Sequence, residues 1–275
     1  MVNYLSFQQV KSFIEQLHRK YVFNISCINY VYFQVAIMVR SAHVFKINPE
    51  VVYDVIDVLM TPEKEYIYDR ETNLGLYIKN VENRENYSFI EILIDYVFLI
   101  IRKERKKGEL ISKSETIKTA TRVPLAYFPT ITGSFSVDHV TVILSKKSLS
   151  KLLATAISRI VGREAFLRIS FDFSPSKEQA IVNQFDDIVR ITSEDVADMR
   201  INGLTLKGHS LYAAPEYRKA FTGIVRYLGV RIENNWFLIA RDGRIITYKN
   251  LDNDNFIEYI YKILRKLAHA SAIII

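Results

Sequence analysis

Apolar positions along the chain fall into short runs of two different periods. Leu5, Val10, Phe13, Ile14 and Leu17 recur at helical spacing and predict an amphipathic helix over residues 4–19. Residues 21–47 turn to β-branched and aromatic types, and the runs VFNISCI, YVYFQVAIMV and HVFKI predict two or three strands. Asn48-Pro49-Glu50 marks a helix start, because Asn accepts from free N–H groups and Pro is tolerated in the first turn; that helix runs to about Met60. EYIYD and LGLYIKN predict a hairpin around Asn73 and Gly75. Ser88 with Glu91 three residues on makes a capping box, and the apolar run behind it predicts a buried helix to Lys107 that stops at Gly108.

Residues 109–122 are rich in Ser, Thr and Lys and predict a polar loop or linker. VPLAYF and SFSVDHVTVIL then read as strands, Ser148–Val161 as a helix stopped by Gly162, and AFLRISFDF as a strand. A short helix near 177–184, the strand DIVRI, a short helix from Ser193 and a strand in LTLKGHSLY follow. Pro215–Leu228 is predicted as a helix closed by Gly229, VRIE, WFLIA and RIITY as a meander turning at Asn234-Asn235 and Asp242-Gly243, and Asn255 to about Ala268 as a final helix. Strands and helices mix without a regular βαβ alternation. That order predicts an α+β fold of mixed or antiparallel sheets packed with helices, in an irregular or new arrangement. Two organisations fit: regions 1–108 and 123–275 joined by a basic loop or linker at 109–122, or one domain with an exposed loop there.

Composition narrows the class. With 49% hydrophobic and 12% aromatic residues over 275 positions, the chain has enough apolar surface for a core, which excludes disorder for most of it. A lone cysteine, Cys27, excludes an intrachain disulfide and the usual thiolate zinc sites. The longest apolar run, Phe89–Ile101, carries Glu91 and Asp95 and is too short for a membrane span of ~20 residues. No secretory leader pattern is visible at the N-terminus, so the expected location is intracellular, or within a virion.

Charge changes the picture more. The net charge is +7 and unevenly spread: residues 50–101 hold four basic and eleven acidic residues, 102–122 eight and three, and 200–275 twelve and six. Arg102, Lys103, Arg105, Lys106 and Lys107 form one basic run, able to hold phosphates but equally suited to a helix C-terminus, where cations offset the dipole. In the last quarter, Arg218, Lys219 and Arg226 fall on the helix expected at 215–228, and Arg241 and Arg244 flank the Asp242-Gly243 turn. A winged-helix arrangement would put that helix in a groove and the hairpin on phosphates. Against it, the connection from Arg200 to Ala214 is far longer than a helix-turn-helix allows.

Catalytic signals are sparse. Asp138 and His139 are adjacent in a strand and point to opposite faces. The remaining histidines are scattered, and Asp172, Lys177 and Asp186-Asp187 lack the spacing of a metal nuclease. There is no GxGxxG, GxxxxGK[ST] or GxSxG, so no catalytic, cofactor-binding or metal-binding residue is assigned. Tyr30, Tyr32 and Phe33 are suited to stacking on bases, or to a core. The closing Ala270–Ile275 is an apolar end that packs on the core or adds to a partner's sheet.

The usage as a whole, Ile-, Tyr- and Lys-rich with a single Cys, with strands such as NYVYFQVAIMV and helices such as NFIEYIYKILRKL, resembles orphan proteins of hyperthermophilic crenarchaeal viruses and plasmids. The resemblance implies heat stability and matches no motif. The leading expectation is a non-enzymatic nucleic-acid-binding or regulatory protein using segments 102–122 and 200–275. The alternative is a structural or assembly protein acting through homo-oligomerisation.

Overall fold

Alternation of side chains between the two faces of a strand decides the architecture, because it assigns each residue to one sheet face. The computed structural model describes residues 40–106, 109–196 and 202–275, all within the unit Arg40–Ile275. The helix expected at 4–19 and the strands VFNISCI and YVYFQVAIMV lie outside the described residues.

The strands are β1 (Arg40–Ile47), β2 (Lys64–Asp69), β3 (Leu74–Asn83), β4 (Ser88–Lys106), β5 (Glu109–Ile131), β6 (Val137–Ile143), β7 (Phe166–Arg168), β8 (Ser170–Phe171), β9 (Asp187–Glu194), β10 (Gly203–Lys207), β11 (Ile224–Ile232), β12 (Asn235–Ala240), β13 (Arg244–Thr247) and β14 (Ile273–Ile274). The helices are α1 (Val52–Met60), α2 (Lys147–Val161), α3 (Glu178–Val182), α4 (Tyr217–Phe221) and α5 (Asn253–His269). One sheet runs β10-β9-β11-β12-β13-β1-β6-β5-β4-β3-β2, with β7 also on β1, and β14 pairs with β8 apart from it. All these pairings are antiparallel, so the fold is α+β and dominated by sheet.

Two cores lie on opposite faces. On β1, Ala42 and Val44 join one cluster while Phe45 and Ile47 join the other, as a period of two demands. The first cluster sits under α5, whose Phe256, Ile260, Ile263, Leu264 and Leu267 recur at i, i+3 and i+4 and are almost wholly buried, along with Tyr217 and Phe221 of α4. Each such side chain contributes ~1.5–3 kcal/mol of burial. It takes its sheet residues chiefly from β9, β11, β12 and the middle strands. The second cluster packs Val52, Val55 and Leu59 of α1 and Leu153 and Ile157 of α2 on Leu76, Ile78, Ile90, Ile92 and Ile94 of β3 and β4. Helices therefore cover one face of the β9–β13 half and the opposite face of the β2–β5 half.

Local chemistry fixes the element ends. The Asn48 side chain accepts from the Glu50 amide, as expected of that start, and Gly162 closes α2 at φ +78°. Asp252 caps α5 by accepting from the Asn255 amide at 2.7 Å. The apolar C-terminal end pairs within the chain, Ile273 opposite Phe171.

Four sequence expectations are corrected. Residues 88–107 do not form a helix: Ser88–Lys106 is β4, and Ser88 bonds the Asn83 side chain rather than capping. Residues 109–122 are no loop but the first half of β5, paired with β4 from Lys106↔Glu109 to Ser88↔Tyr127, so the sheet is continuous across the expected linker. Residues 215–228 hold only the five-residue α4 before β11 begins at Ile224, and Ser193, expected to open a helix, lies within β9. The winged-helix arrangement falls with the long helix.

Past Ile94, β4 pairs with no described strand except β5, because β3 stops pairing at Leu76↔Ile94. At the strand rise of ~3.4 Å per residue, the stretch from Asp95 to Lys106 forms a two-stranded ribbon about 40 Å long. Among the described residues, no helix is long and apolar enough to cross a membrane.

Candidate nucleic-acid interface

The basic residues singled out in the sequence separate into three places. Arg102, Lys103, Arg105 and Lys106 lie in β4 at the far end of the ribbon, and Lys107 lies outside the described residues. Arg218 and Lys219 are exposed on α4, whose other side packs into the α5 core. Arg226, Arg241 and Arg244 surround the β12–β13 turn and line one hollow of about 440 Å³. Register separates the first group from the third. Arg244 faces His43, His43 faces Ile143, Ile143 faces Leu125 and Leu125 faces Ile90, whereas Arg102 lies twelve residues farther along β4. That offset is about 40 Å at the usual strand rise. The two basic segments do not meet as one surface, because residues 95–106 extend as a strand away from the sheet instead of folding back as a helix.

The third group belongs to a larger surface. On the β9–β13 half, the face away from α5 carries no helix among the described residues. Paired positions place its residues in three rows: Thr205, Thr192, Tyr227, Ala240 and Arg244; then Lys207, Arg190, Gly229, Leu238 and Ile246; then Asp187, Arg231 and Trp236. Alternation makes this inevitable, since Val230, Ile232, Phe237, Ile239 and Ile245 are the core positions of the same strands. At Gly229 a side chain would meet the Arg190 Cβ at 2.6 Å, so the strands approach closely there and the centre of the face stays low. Gly229 is thus a mid-strand residue, not the helix stop expected of it.

Electrostatics on this face are lopsided. Asp187 is 3.5 Å from Arg231, Glu194 is 2.7 Å from Arg226, and Asp242 is 2.9 Å from Arg244 with Lys147 of α2 at 3.2 Å. Although burial pushes the Asp242 carboxyl up, hydrogen bonds from Arg244 and Lys147 outweigh it and hold it below the usual carboxylate range. Every carboxylate named is thereby engaged. Arg190, Lys207 and Arg241 have no carboxylate partner among the described residues, and Arg190 reaches only the Thr192 hydroxyl, at 3.4 Å from its Nε. Cations outnumber anions on the face with three to spare.

Aromatic rings share it. Trp236 is 43% exposed and Tyr248 38%, their rings stacked with centroids 5.2 Å apart. Tyr227 lies under Arg244, which donates to its hydroxyl at 3.3 Å. Trp236, Arg190, Lys207, His209 and Arg231 border a second hollow of about 290 Å³. Where this face meets α2, His43 is buried, its Nδ1 3.0 Å from the Ser150 hydroxyl. Burial first, and then the charges of Arg244 and Lys147, lower its pKa from 6.5 to about 4, so it is neutral at physiological pH.

Sequence reasoning reached Arg226, Arg241 and Arg244 but did not single out Trp236, Tyr248, Arg190 or Lys207. The signal was present in the period of two along WFLIA and DIVRI, which opposes Trp236 to Phe237 and Arg190 to Ile191. The acidic residues weighed for a nuclease are dispersed: Asp172 accepts from the Ser174 amide, Asp186 from the Glu233 amide, and Asp187 faces Arg231. Among the described residues, no three His, Cys, Asp or Glu side chains are grouped to hold a metal. No protein-family model matches the chain, and no curated protein matches it.

Proposed function

We propose that the protein binds nucleic acid through the helix-free face of β9–β13, as a non-enzymatic or regulatory component of a mobile element or virus. The observation that carries the reading is the coexistence on that face of three cations without carboxylate partners, Arg190, Lys207 and Arg241, with the rings of Tyr227, Trp236 and Tyr248. Sheet faces of this kind hold a strand of nucleic acid by phosphate contacts and ring stacking. The composition supports the viral or plasmid setting.

The test is binding of short DNA at several salt concentrations. Retention at ~50 mM salt that weakens steeply as salt rises is the expected result. The triple variant Arg190→Ala/Lys207→Ala/Arg241→Ala should flatten the log–log salt dependence by about 2–3, since each phosphate contact contributes ~0.7–0.9. No retention at low salt, or an unchanged slope in the triple variant, overturns the reading.

A second reading, assembly through the β4–β5 ribbon, is favoured by a different observation: a two-stranded extension of about 40 Å has little intrinsic stability by itself and gains most when it docks. Light scattering of the full chain and of a chain with a shortened ribbon separates the two readings. A larger species that the shortening abolishes supports assembly, and monomers in both rule it out.

A further inference from the structure

Within the basic face, the hollow bordered by Trp236 is distinct from the arginine hollow around Arg241 and Arg244. It is the one in which the indole meets two unpaired cations, Arg190 and Lys207, with no carboxylate in its lining. Its volume of about 290 Å³ lies at the lower end of the ~300–1,000 Å³ range of small-ligand pockets, which is room for one nucleotide and not for a duplex. The indole is supported by Tyr248, which does not border the hollow, so the supported ring presents a different surface to it. Across the floor, Arg190 and Lys207 stand at directly opposed positions of β9 and β10, and neither meets a carboxylate among the described residues. Arg231, opposite Trp236 on β11, is by contrast fixed between Asp187 and the His209 ring. The wall is therefore positioned while the two floor cations remain available.

We infer that this hollow is a single-nucleotide subsite, in which one unpaired base stacks on Trp236 while Arg190 and Lys207 take its flanking phosphates, so that the protein prefers single-stranded to duplex nucleic acid. The inference rests on the nucleic-acid reading above and adds strand selectivity to it. The physical basis is that a ring can stack only on a base whose face is free. In a duplex both faces of each internal base are covered by its neighbours, leaving phosphates alone to be contacted.

Trp236 is the one tryptophan in the chain, so tryptophan emission, excited beyond the absorption of the tyrosines, reports on this position and no other. The full chain is titrated at ~50 mM salt, where phosphate contacts are strongest, with three probes of equal length. These are a thymidine oligonucleotide of about eight nucleotides, a size usual for sheet-face binders, an abasic strand with the same phosphates, and a duplex. The thymidine strand should quench the fluorescence and bind roughly 5- to 150-fold tighter than the abasic strand, the range that stacking of one base supplies. Trp236→Ala, followed by fluorescence anisotropy of labelled probes, should bring the thymidine strand down to the abasic affinity and lower duplex affinity far less. Trp236→Phe should restore part of the difference. Equal affinity for thymidine and abasic strands, or tight thymidine binding without quenching, overturns the subsite while the phosphate-binding face stands. Failure of all three probes to bind overturns the face and the subsite together.

Discussion

Gly243 and Gly162 offer a controlled pair for testing how tightly the β12–β13 turn is built. Both adopt left-handed backbone, with φ of +83° and +78°. Their surroundings differ. A Cβ on Gly162 would meet nothing within 4 Å, whereas one on Gly243 would sit 2.4 Å from the Ile169 carbonyl oxygen and 3.2 Å from that of Val44. An L residue in this conformation costs roughly 1–2 kcal/mol, which is the whole expected effect of Gly162→Ala. Gly243→Ala adds overpacking against two backbone segments, typically ~1–3 kcal/mol, for a total of about 2–5 kcal/mol. In a domain of this size 1 kcal/mol moves the thermal midpoint by ~2–4 °C, so the shifts should be a few degrees for Gly162→Ala and roughly 5–20 °C for Gly243→Ala. Equilibrium denaturant unfolding of both variants beside the parent, with slopes compared to confirm a common mechanism, is the assay. Equal losses in the two variants would refute the close approach of the turn to residues 44 and 169, and with it the packing that positions Arg241 and Arg244.

Other consequences can be measured in the same way. His43 has a folded pKa of about 4 against an ordinary 6.5, so the unfolded chain takes up the extra proton. Stability should be complete above about pH 6.5 and fall by up to ~3 kcal/mol as pH drops through 4, and His43→Gln should remove that slope; a slope that survives the substitution excludes His43 as its source. Asp252→Ala deletes the side-chain cap on α5 and should cost about 1 kcal/mol in denaturant unfolding, while Asp252→Ser or Asp252→Asn should cost far less. Replacing residues 97–118 by an Asn-Gly turn should leave the unfolding midpoint within a few degrees, because the core side chains that β4 and β5 supply among the described residues stop at Ile94 and Val123. A large loss would show that the ribbon is integral to the fold.

The elements that the sequence made legible are those in which local and tertiary preferences agree. Asn48, Gly162, the Asn73 turn and the Asp242-Gly243 hairpin each require a particular residue, and each stands where the pattern placed it. The failure at 88–107 has a definite cause. Glu91 and Asp95 are four residues apart, a spacing that puts two side chains on one face of a helix and equally on one face of a strand. In the sheet they meet partners on adjacent strands, Glu91 with Lys79 and Arg122 and Asp95 with Lys118, contacts no local pattern could reveal. Between them Ile92 and Ile94 point into the core, and β-branched residues at every second position were the better guide. At 215–228 the turn after Phe221 was hidden by apolar residues continuing into β11. The basic face was legible only in part, because which side of a meander faces solvent depends on where α5, a separate element that follows it, docks.

Helices cover opposite faces of the two half-sheets, so the uncovered sides look away from one another and differ in kind. One is laced with cross-strand ion pairs around Glu91 and Asp95; the other bears rings and surplus cations. A ligand seated on the second leaves the first unobstructed. Contacts made on one side therefore leave the other geometrically open.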